Sequence, residues 1–259
     1  GAGAQARYLF KHALVQDAAY DSLLLSKRQA LHAQIAAAIE ASLPEKVRSE
    51  PELLAHHYTE AGRIEQALPY WQRAGELAQQ RVALQEAIGY FQRGLALARQ
   101  LAPTHELDMH RMQLHAHLGM AWLAQQGWGH PEVVANLQPA YDLEERLTPG
   151  VHSLRVLWGL WVYPLATGRP RESLPLAHAL VEQARKRGDE YMLHAGLWAQ
   201  VTTYYWLAEY DNAIESADAI IDSYDINRHR WLAETLSHDS KTVAMQYKAA
   251  SLHSLGYPD

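Results

Sequence analysis

The chain has 259 residues, of which 48% are hydrophobic, enough for two ordinary domains or one elongated array with a continuous core. A net charge of −6 argues against a nucleic-acid-binding surface, which is normally basic. Cysteine is lacking, which rules out disulfides and thiolate zinc sites and suits a reducing cytosol, and no apolar run approaches the about 18 residues a membrane-spanning helix needs.

Gly1-Ala2-Gly3-Ala4 carries neither a methionine nor the charged and apolar regions of a signal peptide, so the chain is expected to start inside a longer protein. A short strand is possible over 7–11 and a helix is expected over 17–25. Ser26 is placed to cap a helix running to about Ser42. Pro44 and Pro51 then frame a polar linker. From there apolar residues recur at helical spacing, predicting helices over 52–61, 64–80, 84–101 and 104–125. The glycine-containing stretch 126–131 reads as a longer turn. Helices follow over 132–147, 152–166, 171–187, 190–208, 211–224 and 229–255, with Gly168-Arg169-Pro170 and Gly188-Asp189 as turn signals.

A spaced set of small and aromatic residues recurs through these helices. Leu54, Ala55 and Tyr58 are followed by Ala67, Trp71 and Ala74, and the same nine-residue step joins Tyr204 to Ala213, with Ala217 beyond; Gly75, Ala87, Phe91 and Gly94 fit an overlapping phase. Pro69 and Pro175 each stand two positions after a small residue, in the opening turns of a helix, whereas Pro164 should kink its helix. This resembles the 34-residue helix–turn–helix pattern of tetratricopeptide (TPR) repeats. The resemblance implies an all-α, TPR-like right-handed solenoid of about a dozen helices in antiparallel pairs, whose first helices line a concave face.

Phe10-Lys11-His12-Ala13-Leu14-Val15-Gln16-Asp17-Ala18-Ala19-Tyr20, with Leu23, Arg28, Leu31, His32, Ile35 and Ala36, resembles the end of the AAA/STAND-type ATPase module of large bacterial signalling proteins, often linked to class III adenylate/guanylate cyclase domains. Residues 51–62, Ala67–Gly75, His238-Asp239 and 255–259 are similar to the repeat region that follows it. The implied division is 1–47 as the tail of an upstream ATPase or winged-helix-like module, acting as a cap, and 48–259 as the repeat array. No Gly-rich phosphate loop ending in Gly-Lys-Ser/Thr occurs, so the nucleotide cradle is missing from this chain.

Candidate chemistry is sparse. His105, His110, His115 and His117 share one helical region without a His-Glu-x-x-His motif, and are expected to be solvated or at a core edge rather than to hold a metal. His56 and His57, being adjacent, should diverge on their helix. Asp142, Glu144 and Glu145 read as a solvated acidic face. Ser237-His238-Asp239-Ser240 holds triad-type residues, but adjacency does not build a triad, and His238 and Asp239 suggest a turn or helix cap.

The aromatic set of the last helices leaves two readings open. One is a tryptophan-rich core. The other is a groove that grips an extended peptide, an apolar helix or a flat ligand, with Trp158, Trp161, Tyr163, Trp198, Thr202, Tyr205, Trp206, Trp231 and His238 as binding residues. No catalytic residue, cofactor or metal is expected. The expected role is a cytoplasmic, non-catalytic regulatory and protein-interaction region of a signalling ATPase, binding a protein partner or self-associating. The alternative is an effector-sensing domain of an ATPase-linked transcription regulator.

Overall fold

The computed structural model describes Tyr20, residues 22–229 and residues 239–257. The expected strand over 7–11, residues 17–19 and 21 of the helix expected over 17–25, and both Trp231 and His238 lie outside these residues; the described residues 22–24 of that expected helix are turn, bend and coil, and helix begins at Leu25. The described chain is all-α, with no strand among the described residues. Twelve helices carry it: α1 Leu25–Ser42, α2 Pro44–Ser49, α3 Pro51–Glu60, α4 Ile64–Gln80, α5 Leu84–Ala98, α6 His105–Gln126, α7 Pro131–Leu147, α8 Leu154–Ala166, α9 Pro170–Arg187, α10 Glu190–Trp206, α11 Tyr210–Ser223 and α12 Ser240–Ser254.

Three expected boundaries shift for local reasons. The linker framed by Pro44 and Pro51 is itself helix α2, because a proline in the first turn loses only an N–H that has no helical partner there. Helix α5 stops at Ala98, short of Pro103, which disfavours helical backbone just before it. The helix expected over 229–255 does not run through. Asp239 opens α12 instead, its Oδ1 accepting the Thr242 N–H at 2.9 Å, as its cap reading implied.

One turn recurs. At Gly62, Val82, Gly168, Gly188, Ala208 and Gly256 the backbone swings into the left-handed region, with φ between 59° and 92°. In each, the next N–H reaches back to a carbonyl five residues earlier: Arg63 to Tyr58, Ala83 to Ala78, Arg169 to Pro164, Asp189 to Ala184, Glu209 to Tyr204 and Tyr257 to Leu252. This is the Schellman closure, which satisfies carbonyls a helix end leaves open. Five residues past four of these hinges stand Ala67, Ala87, Ser173 and Ala213, all with no exposed surface. The nine-residue tyrosine-to-alanine step is thus the span from one helix across this turn to the first buried position of the next.

Each helix packs on its neighbours in chain order. Beyond that, α4, α6, α8, α10 and α12 touch in series as next-but-one neighbours, while α5, α7, α9 and α11 have no comparable contacts with one another. The helices therefore form two rows, one close-set and one splayed. Close approach depends on small residues. A Cβ at Gly159 would collide with Leu137 Cδ1, and one at Gly196 would fall 2.8 Å from the Val181 backbone nitrogen. The largest buried cluster spans α8 to α12 and includes Trp158, Trp161 and Trp198.

Candidate functional site

The structure divides the expected aromatic set. Trp158, Trp161, Trp198 and Thr202 are buried, between 1% and 6% exposed. Trp158 packs 4.7 Å from Trp161 and 5.0 Å edge-on from Trp198, ring centre to ring centre. Trp161 Nε1 donates to Thr203 Oγ1 at 2.9 Å. A buried indole needs such a partner, and with it these rings serve the core. Trp161 and Trp198 are enclosed by the helices, and of the three only Trp158 reaches a cavity, so they do not line an open groove together. Tyr163 is half-buried on a cleft of the splayed row, where the Arg169 guanidinium lies 5.5 Å over its ring. Tyr205 and Trp206 belong to a separate surface group with Tyr210 and Tyr247, and Trp206 is 61% exposed. Trp231 and His238 are outside the described residues.

The close-set row brings His110 and His117, expected to be solvated or at a core edge, together with Gln72, Gln79 and Arg155, which the sequence reading did not single out. Gln79 on α4, His117 on α6 and Arg155 on α8 are each 38 residues apart, and so are Gln72 and His110. His117 Nδ1 lies 3.1 Å from Gln79 Oε1, and Arg155 Nη1 lies 3.0 Å from His117 Nε2. In the tautomer protonated at Nδ1 the ring donates to Gln79 and accepts from Arg155. Glu76 Oε1 stands 3.2 Å from Nε2 and supplies the opposing charge. Phe91 of α5 stacks on the same ring at 5.4 Å. Burial and then the Arg155 cation push the His117 pKa down to about 4, so the ring is neutral at physiological pH.

Arg155 stands exposed at the edge of a cavity of about 500 Å³ between α6 and α8. Met112, Ala116, Met120, Leu154 and Trp158 give it apolar walls, and Gln113, Glu144, Ser153 and Arg155 give it polar groups. Glu144 is not on a solvated face, as expected from the sequence: it is 7% exposed. Its Oε2 accepts the Ser153 N–H at 3.1 Å and lies 3.4 Å from His152 Nδ1. His152 in turn stacks flat on Tyr141, centres 3.8 Å apart. This pairing anchors the start of α8 and so the position of Arg155. A cation beside methionine and indole surface suits a small anion or an acidic side chain with an apolar neighbour. Nucleophile, base and oxyanion donors do not converge around it.

No protein-family model matches the chain. An uncharacterized protein of Rhizobium meliloti (strain 1021) is 22% identical over 251 residues, covering 96% of this chain and 24% of the relative. The chain thus spans about a quarter of the length of the curated relative it matches. The site residues rest on the geometry alone.

The signal that would have found Arg155 and joined it to His117 is the 38-residue interval. It was hidden because the sequence frame was laid at the TPR length of about 34 residues. Polar residues spaced by one helix pair fall side by side on successive helices of a row, whatever the repeat is called.

Proposed function

We propose that this chain is a non-catalytic regulatory and protein-interaction region, stacked as a TPR-like right-handed solenoid, of a cytoplasmic signalling ATPase of the adenylate/guanylate cyclase-linked kind. The observation that carries the reading is the close-set row of helices with its exposed Arg155 beside an apolar cavity. Such a row offers a long surface of fixed geometry, to which an extended or helical segment can bind, or a second copy of the chain. The length of the matched relative supports a larger parent, with residues 1–47 as the tail of its upstream module. Nucleic acid and membrane play no part in this reading; among the described residues no helix is long and apolar enough to cross a bilayer.

Fluorescence-polarisation titration with labelled decapeptides carrying an aspartate beside a leucine tests it. Arg155→Ala should weaken the binding about tenfold or more, the loss of a charge-assisted hydrogen bond of roughly 1.5–3 kcal/mol. The variant should keep its helical circular dichroism and lose only a few degrees of melting temperature, the cost of the hydrogen bond from Arg155 to His117 Nε2. Peptide binding that ignores Arg155→Ala contradicts the proposed surface.

The cavity's size favours one alternative, an effector-sensing domain of an ATPase-linked transcription regulator. A volume of about 500 Å³ is that of a small-molecule site. Trp158 lines it, so a carboxylate-bearing effector entering there should change tryptophan emission, whereas a protein docking on the outer rim should leave it silent.

A further inference from the structure

Three histidines meet where α1 packs on α3. His32 of α1 is 8% exposed, and His56 and His57 are neighbours on α3. One ring nitrogen of each lies within 4.8 Å of the other two. Adjacent residues on a helix point about 100° apart, which is why divergence was expected. Here His32 enters between them, its ring centre 5.8 Å from His56 and 5.0 Å from His57. Its Nδ1 is 2.8 Å from His57 Nδ1, and its Nε2 is 2.9 Å from the Tyr20 hydroxyl.

We infer that His32, His56 and His57 form a binding site for a divalent transition-metal ion of the zinc class, with Tyr20 orienting His32 from behind. Imidazole nitrogen selects such ions over magnesium and calcium, which take oxygen ligands. Ring nitrogens sharing a tetrahedral zinc sit roughly 3.3 Å apart, from bonds of about 2.0–2.1 Å, so the present 2.8 Å gap need open only slightly. Without metal, two facing nitrogens need one proton between them. With metal, His32 moves that proton from Nδ1 to Nε2, where it is donated to the Tyr20 oxygen. The ring stays neutral, and the second hydrogen bond fixes its orientation, as ligating histidines generally require. Glu60, one turn beyond His56, supplies the nearby negative charge.

The site would clamp α1, whose Leu25, Leu31 and Ile35 side chains are exposed, onto α3. Calorimetric titration of the full, untagged chain with zinc chloride tests this, with magnesium chloride as the comparison. The expected result is one zinc per chain with no magnesium response. His56→Ala and His57→Ala, both on the accessible side, should each weaken zinc at least tenfold and remove the zinc-dependent rise in melting temperature while keeping the helical circular dichroism. The inference is overturned by a lack of zinc binding, by binding without saturation at one equivalent, or by wild-type affinity in both folded variants.

Discussion

At the scale of single residues, two histidines make the fold acid-sensitive. His117 and His194 each have a pKa pushed down to about 4, chiefly by burial, and next by Arg155 and His229 respectively. The unfolded chain binds those protons near pH 6.5, the folded chain only near pH 4. The stability they contribute is complete above about pH 6.5 and is lost as pH falls toward 4. Replacing both by glutamine should flatten the fall in unfolding free energy between pH 7 and pH 5 by roughly 1–2 kcal/mol per histidine; denaturant titrations at the two pH values measure it, and parallel slopes for variant and wild type would refute it. The tryptophans divide in the same concrete way. Trp161→Ala should destabilise by about 3–5 kcal/mol, because it opens a cavity and leaves Thr203 without its donor, while Trp206→Ala should change unfolding by less than about 0.5 kcal/mol. Composition could show that the last helices are rich in aromatic rings. It could not show which face each ring takes, since in these helices apolar residues run nearly all the way round: in α8, eight of thirteen residues are buried.

At the scale of elements, the left-handed hinge explains both what was legible and what was costly. Gly168 and Gly188 marked their turns in the sequence because glycine occupies that backbone freely. Val82 and Ala208 hold the same conformation, φ 60° and 59°, without that freedom. Their turns were still found, from the end of one apolar period and the start of the next, but the helix over 190–208 was drawn two residues long because alanine gives no stop signal. Val82→Gly should stabilise the chain by about 1 kcal/mol, since it relieves a β-branched residue in the left-handed region. Gly188→Ala should destabilise by a similar amount. Melting curves of the two variants must move in opposite directions; a shift of the same sign in both would contradict a shared hinge.

At the scale of the whole molecule, the all-helical class and nearly every helix were readable from apolar spacing, while the repeat length and the rows were not. The starts of α4 and α5, and those of α9, α10 and α11, are 20 residues apart, so a helix pair there takes 40 residues, beyond the TPR length of about 34. The two stretches that share the tyrosine-to-alanine step also begin on different rows: Tyr58 is on α3, beside α4, and Tyr204 is on α10, in series with α4, α6 and α8. The step reports a turn, and a turn is the same whichever row it leaves. Where the helices cross most closely, Gly196→Ala should unfold the α9–α10 contact, because its methyl would meet backbone rather than a side chain that can move; a loss of several degrees in melting temperature is expected.

One row of helices, α4, α6, α8 and α10, is drawn together, and the other is splayed. Paired spin labels on exposed positions, one pair joining α4 to α10 and one joining α5 to α11, measure this by pulsed electron resonance. A shorter separation along α4–α10 is predicted; equal separations, or a shorter α5–α11 distance, would contradict it.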